Sequence, residues 1–342
     1  MDVTRLCSAA TPLSRVGSTQ KKYNYPSFSF TTTLLNHRNH SSFSIPIPPF
    51  NNFKPLHFSQ FNINHPFNLL SASKGQLHLL QPSGVDELYD ALVSRLLHST
   101  TISSNPNSKH LVALAGPPGA GKSTLANEVA SRVNKLWSEK ASSIDSQVKP
   151  PDVAIVIPMD GFHLYRSELD AMENPEEAHS RRGGKVPLFI TRQIHTYISR
   201  KSIDLSIGIS APWTFNPSRL LTCLKNLRTH GSVYVPSFDH GVGDPVEDDI
   251  FVNLQHKIII VEGNYLLLED GIWKEISSFF DEKWFIDIDI DKAMQRVLKR
   301  HISTGKPPEI AKQRVENNDR LNAEHIMKSM KNADIIIKSV DF

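Results

Sequence analysis

The sequence is short of three things. Of its 342 residues only two are cysteine, Cys7 and Cys223, so there is no disulfide framework and no cysteine-based metal cluster, and a reducing compartment fits. No run of 18 apolar residues occurs, which argues against a membrane-spanning helix and a membrane partner. Acidic residues are almost missing from the first quarter: between Met1 and Val85, Asp2 alone opposes Arg5, Arg15, Lys21, Lys22, Arg38, Lys54 and Lys74. Those bases are scattered rather than clustered, which argues against a nucleic-acid-binding arm. The whole chain carries +3 from 38 basic and 35 acidic residues, so the part beyond the leader is slightly acidic.

Residues 1–75 are rich in Ser, Thr, Asn, Phe and Pro, and no helical or strand period persists there. An acid-poor, hydroxyl-rich leader is the composition of an organellar transit peptide, and its thin supply of Arg points to the chloroplast stroma ahead of the mitochondrion. The alternative is an untargeted tail on a cytoplasmic protein. Residues 76–342 are then expected to form one domain of ordinary size.

In that region strand-like apolar runs (Leu111 to Ala115, Val153 to Pro158, Val233 to Phe238, Lys257 to Val261, Trp284 to Ile288, Ile335 to Ile337) alternate with helical patterns. The helices are expected at Asp86 to His98, Lys122 to Glu139, Pro217 to Thr229, Asp291 to Ser303 and Glu309 to Lys331. Such alternation predicts an α/β fold, a mostly parallel sheet with helices on both faces.

Directly after the first of these strands stand Gly116, Pro117, Pro118, Gly119, Ala120, Gly121, Lys122 and Ser123, and Thr124 continues into a helix. This is G-x-x-x-x-G-K-[ST] in the strand–loop–helix setting it requires. Glycines let successive N–H groups turn inward, and the helix end adds positive potential, so the loop cradles phosphate oxygens. Lys122 is expected to reach the β- and γ-phosphates, and Ser123 to hold Mg²⁺. The second strand runs into Met159-Asp160-Gly161-Phe162-His163, which places Asp160 at the carboxyl edge of the sheet, where ligands of open α/β sheets bind. Phosphoryl transfer to a hydroxyl needs a carboxylate to accept the proton, and Asp160 is the candidate, although an aspartate beside Gly161 is also an ordinary turn residue. His163 reads more simply as a satisfied polar residue. The run Lys257-Ile-Ile-Ile-Val-Glu262 ends in an acid like a Walker B strand, which makes Glu262 the second candidate near the metal. Arg296 and Arg300 are spaced i, i+4 and share a helical face, which reads equally as a lid that neutralises transferring phosphate or as a solvated basic face.

Together these residues resemble the phosphoribulokinase/uridine kinase family of P-loop kinases, in a uridine-kinase-like and fructose-kinase-like branch related to pantothenate kinase. The resemblance runs from about Val85 to the C-terminus. It rests further on Arg181-Arg-Gly183, Ala211-Pro-Trp-Thr-Phe215, Val235-Pro-Ser-Phe-Asp-His240, Val261-Glu-Gly-Asn-Tyr-Leu-Leu267 and Asn318-Asp-Arg-Leu-Asn-Ala323. It implies an adenylate-kinase-like P-loop core with a small lid, ATP and Mg²⁺ as cofactors, Asp160 as base, Glu262 near the metal and Arg296 and Arg300 on the lid. It also implies a small-molecule hydroxyl acceptor touched by Arg181, Arg182, Phe238 and Asp239, with Asn318 and Asn322 toward the adenine. Phe238 stands where the family pattern has Tyr, which removes one hydroxyl from nucleoside-like recognition.

In this branch Arg-Arg-Gly runs straight into Ala-Pro-x-Thr-Phe, whereas here the 27 residues Gly184 to Ser210 stand between them. Their Ile-rich composition and Gly-Lys-Val opening suit a retained in-frame intron; the alternative is a surface loop, which costs little entropy. The expected function is an ATP-dependent kinase acting on a nucleoside, sugar or related metabolite. Its rivals are a P-loop NTPase switch and a catalytically weak ATP-binding regulator, the latter because the insertion separates Arg181 and Arg182 from Phe215. Against the switch, no Asp-Glu pair ends the Glu262 strand and no Asn-Lys-x-Asp motif is present.

Overall fold

The computed structural model describes residues 78–80, 84–99, 108–142, 150–182 and 211–339. The expected leader 1–75 and insertion 184–210 lie outside the described residues, which all belong to the compact unit Lys54–Phe342. The elements run β1 (His78–Leu80), α1 (Val85–Ser99), β2 (His110–Ala115), α2 (Lys122–Ser142) and β3 (Ala154–Pro158). A 3₁₀ turn (Met159–Phe162), α3 (Arg166–Asp170) and α4 (Pro175–Arg182) follow, then a second 3₁₀ turn (Pro212–Thr214) and α5 (Pro217–His230). After them come β4 (Val233–Asp239), β5 (Asp244–Val252), β6 (Ile258–Gly263), α6 (Gly271–Ser278), β7 (Glu282–Asp287) and α7 (Ile290–Ser303). The chain continues through α8 (Pro308–Arg314), a π-helical turn (Val315–Asp319), α9 (Arg320–Met327), a last 3₁₀ turn (Lys328–Asn332) and β8 (Ile335–Lys338).

Six strands form a parallel sheet in the order β1-β8-β7-β2-β6-β3. Its strands are apolar on both sides because both sides are covered. In β6, Ile258 and Ile260 pack with Leu92, Val129 and Val297 of α1, α2 and α7, while Ile259 and Val261 pack with Leu224 of α5 and Ile276 of α6. An unbroken apolar run is therefore what this strand requires. Helix ends follow local chemistry: Asn216 accepts the Arg219 N–H at 3.0 Å, Pro217 opens α5, and Gly231 closes it in the left-handed region at φ 72°. Among the described residues no helix is long and apolar enough to cross a membrane.

Two expectations are corrected. Val233 to Phe238 is a strand, but it pairs antiparallel with β5 in a separate two-stranded sheet. Tyr234, 57% exposed, shows why: only one face of β4 is covered, as antiparallel hairpins permit. Its partner escapes a pattern search because Asp244-Pro-Val-Glu-Asp-Asp has low strand propensity. Glu309 to Lys331 is not one helix either. The π-helical turn between α8 and α9 adds a residue to the turn, so Asn318 and Asp319 both fall on the buried side.

Candidate active site

Strand register assembles the site. Glu262 of β6 lies opposite Leu114 of β2 on one side and Pro158 of β3 on the other. The phosphate loop leaving β2, the acid ending β6 and the Asp160 turn leaving β3 therefore share one edge of the sheet, the carboxyl edge.

The loop is pressed against α7. At Gly119 φ is +81°, and a Cβ there would stand 2.5 Å from the Ala293 carbonyl oxygen, so only glycine fits. Lys122 Nζ donates to the carbonyls of Gly116 and Pro117 at 3.0 and 3.1 Å. Ser123 Oγ donates to Glu262 Oε1 at 2.9 Å, joining the two residues expected at a metal. Enclosure in the loop pulls Lys122 below the ordinary ammonium range, while Glu262 and Asp160 oppose that shift. Burial raises Glu262 above the usual carboxylate range, and the like charge of Asp160 adds to it against Lys122 and the Ser123 bond. One ammonium and two carboxylates thus share a single field.

Arg296 and Arg300, on α7, both face this loop. Arg296 Nη1 donates to the Gly119 carbonyl at 3.3 Å, and the charge of Arg300 acts on Lys122. Behind them stands a cluster that sequence reasoning missed. His301 Nε2 is 2.8 Å from Asp319 Oδ2, and Arg314 Nε lies 3.9 Å from the same oxygen. Burial pulls Arg314 below its ordinary range, Asp319 opposes, and the charge of Arg300 adds to the depression. In the sequence Arg314 sits among Glu309, Lys312 and Glu316, which reads as a solvated face; only the packing of α8 turns it inward. Asn318 lies on the π-helical turn, and Asn322 accepts the Ala211 N–H at 3.2 Å, so Asn322 anchors the start of Ala211-Pro-Trp-Thr-Phe215.

On the acceptor side the Asp160 turn carries the hairpin. A Cβ on Gly161 would stand 2.1 Å from the Pro236 carbonyl oxygen, so β4 sits directly on this glycine. His163 stacks on Phe215 with centroids 3.7 Å apart and tilts against Phe238 at 5.2 Å. Its Nδ1 donates to the Thr214 carbonyl at 3.2 Å, leaving Nε2 4.0 Å from Asp160 Oδ1. Burial lowers its pKa to about 4, so it is neutral near pH 7 and packed as a satisfied polar residue.

The four expected acceptor residues separate. Arg182 and Phe238 come together, the guanidinium 5.6 Å above the ring, and Arg182 Nη2 is 3.1 Å from Asp244 Oδ1. Arg181 turns toward Glu177 and the Asn317 carbonyl, at 3.8 and 3.4 Å. Asp239 Oδ1 accepts the N–H groups of Gly241 and Val242 at 2.7 and 3.1 Å and shapes the hairpin turn; those bonds hold its carboxyl below the usual range.

A parallel sheet with this loop at its carboxyl edge and an acid on the neighbouring strand defines a P-loop NTPase fold with kinase geometry. The sequence model of the Phosphoribulokinase / Uridine kinase family matches residues 196–342. The "Putative uridine kinase C227.14" of Schizosaccharomyces pombe is 33% identical over 75% of this chain and 92% of its own length. The ATP-dependent kinase YFH7 of Kluyveromyces lactis is 27% identical over 74% and 98%. Among solved structures, Saccharomyces cerevisiae YFH7 superposes with a TM-score of 0.55 at 21% identity, covering 74% of this chain and 98% of that one, and so shares the fold. The chain belongs to the phosphoribulokinase/uridine kinase family and is a P-loop kinase, a family that uses ATP.

Proposed function

We propose that the protein transfers the γ-phosphate of ATP to a hydroxyl of a small metabolite, with Asp160 as the base. The observation that carries this reading is the meeting of the Ser123–Glu262 bond, Lys122 and Asp160 at one sheet edge. Asp160 takes the hydroxyl proton as the oxygen attacks the γ-phosphorus; the bond from that phosphorus to the bridging oxygen breaks, and ADP leaves. Lys122, Arg296 and Arg300 neutralise charge that spreads over the transferring group. Among the described residues there is no group of three or more His, Cys, Asp or Glu that would hold a cation unaided. Ser123 Oγ and Glu262 nonetheless suit Mg²⁺, which takes one or two protein oxygens and completes its shell from phosphates and water. When bound, Mg²⁺ would offset charge on the β- and γ-oxygens. Residues 1–75 would direct the enzyme to the plastid.

The test is ADP release with uridine, cytidine, pantothenate, ribulose 5-phosphate and fructose as acceptors, repeated with Asp160→Asn. Acceptor-dependent release that falls about 10²- to 10⁴-fold in the variant is expected. Release that needs no acceptor and survives the substitution would favour an NTPase switch instead.

A further inference from the structure

Packing accounts for one nitrogen of His163 and not for the other. The ring sits in an aromatic wall, stacked on Phe215 at 3.7 Å and tilted against Phe238 at 5.2 Å. A phenylalanine would fill that wall without burying polar atoms. Nδ1 lies 3.2 Å from the Thr214 carbonyl, an oxygen that only accepts, so the ring hydrogen is on Nδ1. Burial keeps the ring neutral, with its pKa lowered to about 4. Nε2 therefore carries a lone pair and no hydrogen. It bonds to nothing among the described residues and lies 4.0 Å from Asp160 Oδ1.

The two groups are mismatched while Asp160 is ionised, because a carboxylate and a bare ring nitrogen both only accept. They match as soon as Asp160 is protonated, since its new O–H is a donor beside a waiting lone pair. Closing the 4.0 Å gap to a hydrogen bond of about 2.8 Å needs a movement of roughly 1.2 Å. The Asp160 side chain is 44% exposed and its carboxylate takes no hydrogen bond from any described residue, so nothing restrains that movement. Catalytic hydrogen bonds commonly tighten in this way between the free enzyme and the transition state.

We propose that His163 is a positioning residue for the base: its Nε2 accepts a hydrogen bond from Asp160 as Asp160 takes the proton of the attacking hydroxyl. This rests on the kinase reading above and deepens it. The proton passes from the hydroxyl oxygen to an Asp160 oxygen, and that O–H donates to Nε2. It does not cross to the ring, which its buried place keeps neutral. When product leaves, the exposed carboxyl returns the proton to water. Thr214 sets the arrangement by holding the hydrogen on Nδ1, and its own Oγ1 is tied to the Ala211 carbonyl at 2.8 Å. The bond is made in the transition state and absent from the free enzyme, so it acts on kcat and not on KM.

A double-mutant cycle in the full chain tests this, with ATP, Mg²⁺ and whichever of the five acceptors above gives ADP release. His163→Phe keeps the stack and loses the lone pair. His163→Leu is run beside it, so that the cycle stays readable if the larger ring misfolds. In the protein that retains Asp160, kcat is expected to fall about tenfold, the worth of one hydrogen bond, with KM for ATP and acceptor within about twofold. In the Asp160→Asn background the same substitution should change the residual kcat by less than about twofold, because no carboxyl takes the proton there. A purely structural His163 would cost the same in both backgrounds. Wild-type kcat in the His163 variants, equal losses in both backgrounds, or a loss confined to KM overturns the proposal while the kinase reading stands. Absence of acceptor-dependent release, or its persistence at the wild-type rate in Asp160→Asn alone, overturns both.

Discussion

Gly161→Ala probes how the acceptor half is attached to the base. The new Cβ would stand 2.1 Å from the Pro236 carbonyl oxygen and 2.7 Å from its carbon. Ordinary carbon–oxygen contacts begin near about 3.3 Å, so the turn and β4 must separate by roughly 1 Å. Both partners are backbone, so no side chain can swing aside. Overpacking of this kind costs about 1–3 kcal/mol, which lowers Tm by roughly 3–9 °C at about 3 °C per kcal/mol. A displacement of about 1 Å between base and acceptor groups costs on the order of 100-fold in turnover. The phosphate loop is untouched, so ATP affinity should stay at the wild-type level. Thermal unfolding, ATP binding and acceptor-dependent ADP release on the wild-type acceptor measure the three. Wild-type Tm together with wild-type turnover in the variant would show that the hairpin does not rest on this glycine, and the account of the acceptor side would fall.

Glu262→Gln should lower kcat by about 10²- to 10³-fold and weaken the dependence on Mg²⁺, because Ser123 keeps its partner but the charge is gone; an unchanged Mg²⁺ titration would count against Glu262 at the metal. His163 stays neutral in the folded protein down to about pH 4, whereas a free imidazole protonates near 6.5, so its contribution to stability is whole above pH 6.5 and is lost as the pH falls from 6.5 to 4. That is worth about 3 kcal/mol in urea unfolding, and His163→Phe, which keeps the stack on Phe215, should flatten the slope; an equal slope in both proteins refutes it. Helix α4 and the 3₁₀ turn Pro212–Thr214 pack within 8 Å of each other, so removal of residues 184–210 should leave a foldable chain. If the segment disturbs the pocket between Arg182 and Phe215, the shortened protein turns over at least about tenfold faster by the 1 Å argument; equal turnover identifies a tolerated loop.

The parts legible in the sequence were those whose meaning is local. Gly116 to Ser123 is a backbone conformation written in residue types that few other conformations want, and its strand and helix flank it directly. The run Ile258 to Val261 could only be a strand covered on both faces. Arg296 and Arg300 share a face by helical period alone. The hairpin was half legible, since β4 has strand-like residues whereas the acids and proline of β5 hide their pairing until β4 lies beside them. Arg314 was invisible because its spacing is that of a solvated helix, and the π-helical turn behind it shifts the period where a regular helix was expected.

What the sequence determined by itself is therefore the phosphate cradle, the α/β layering and the presence of acids at strand ends, because each follows from neighbours along the chain. What only the tertiary structure decided is which of those groups meet. Glu262 reaches Ser123 through sheet register, Asp160 carries the hairpin through a missing Cβ, and of two adjacent arginines one turns to the π-helical turn while the other is buried beside Phe238. Register, close approach and burial are set by packing between distant segments, and local patterns carry no record of them.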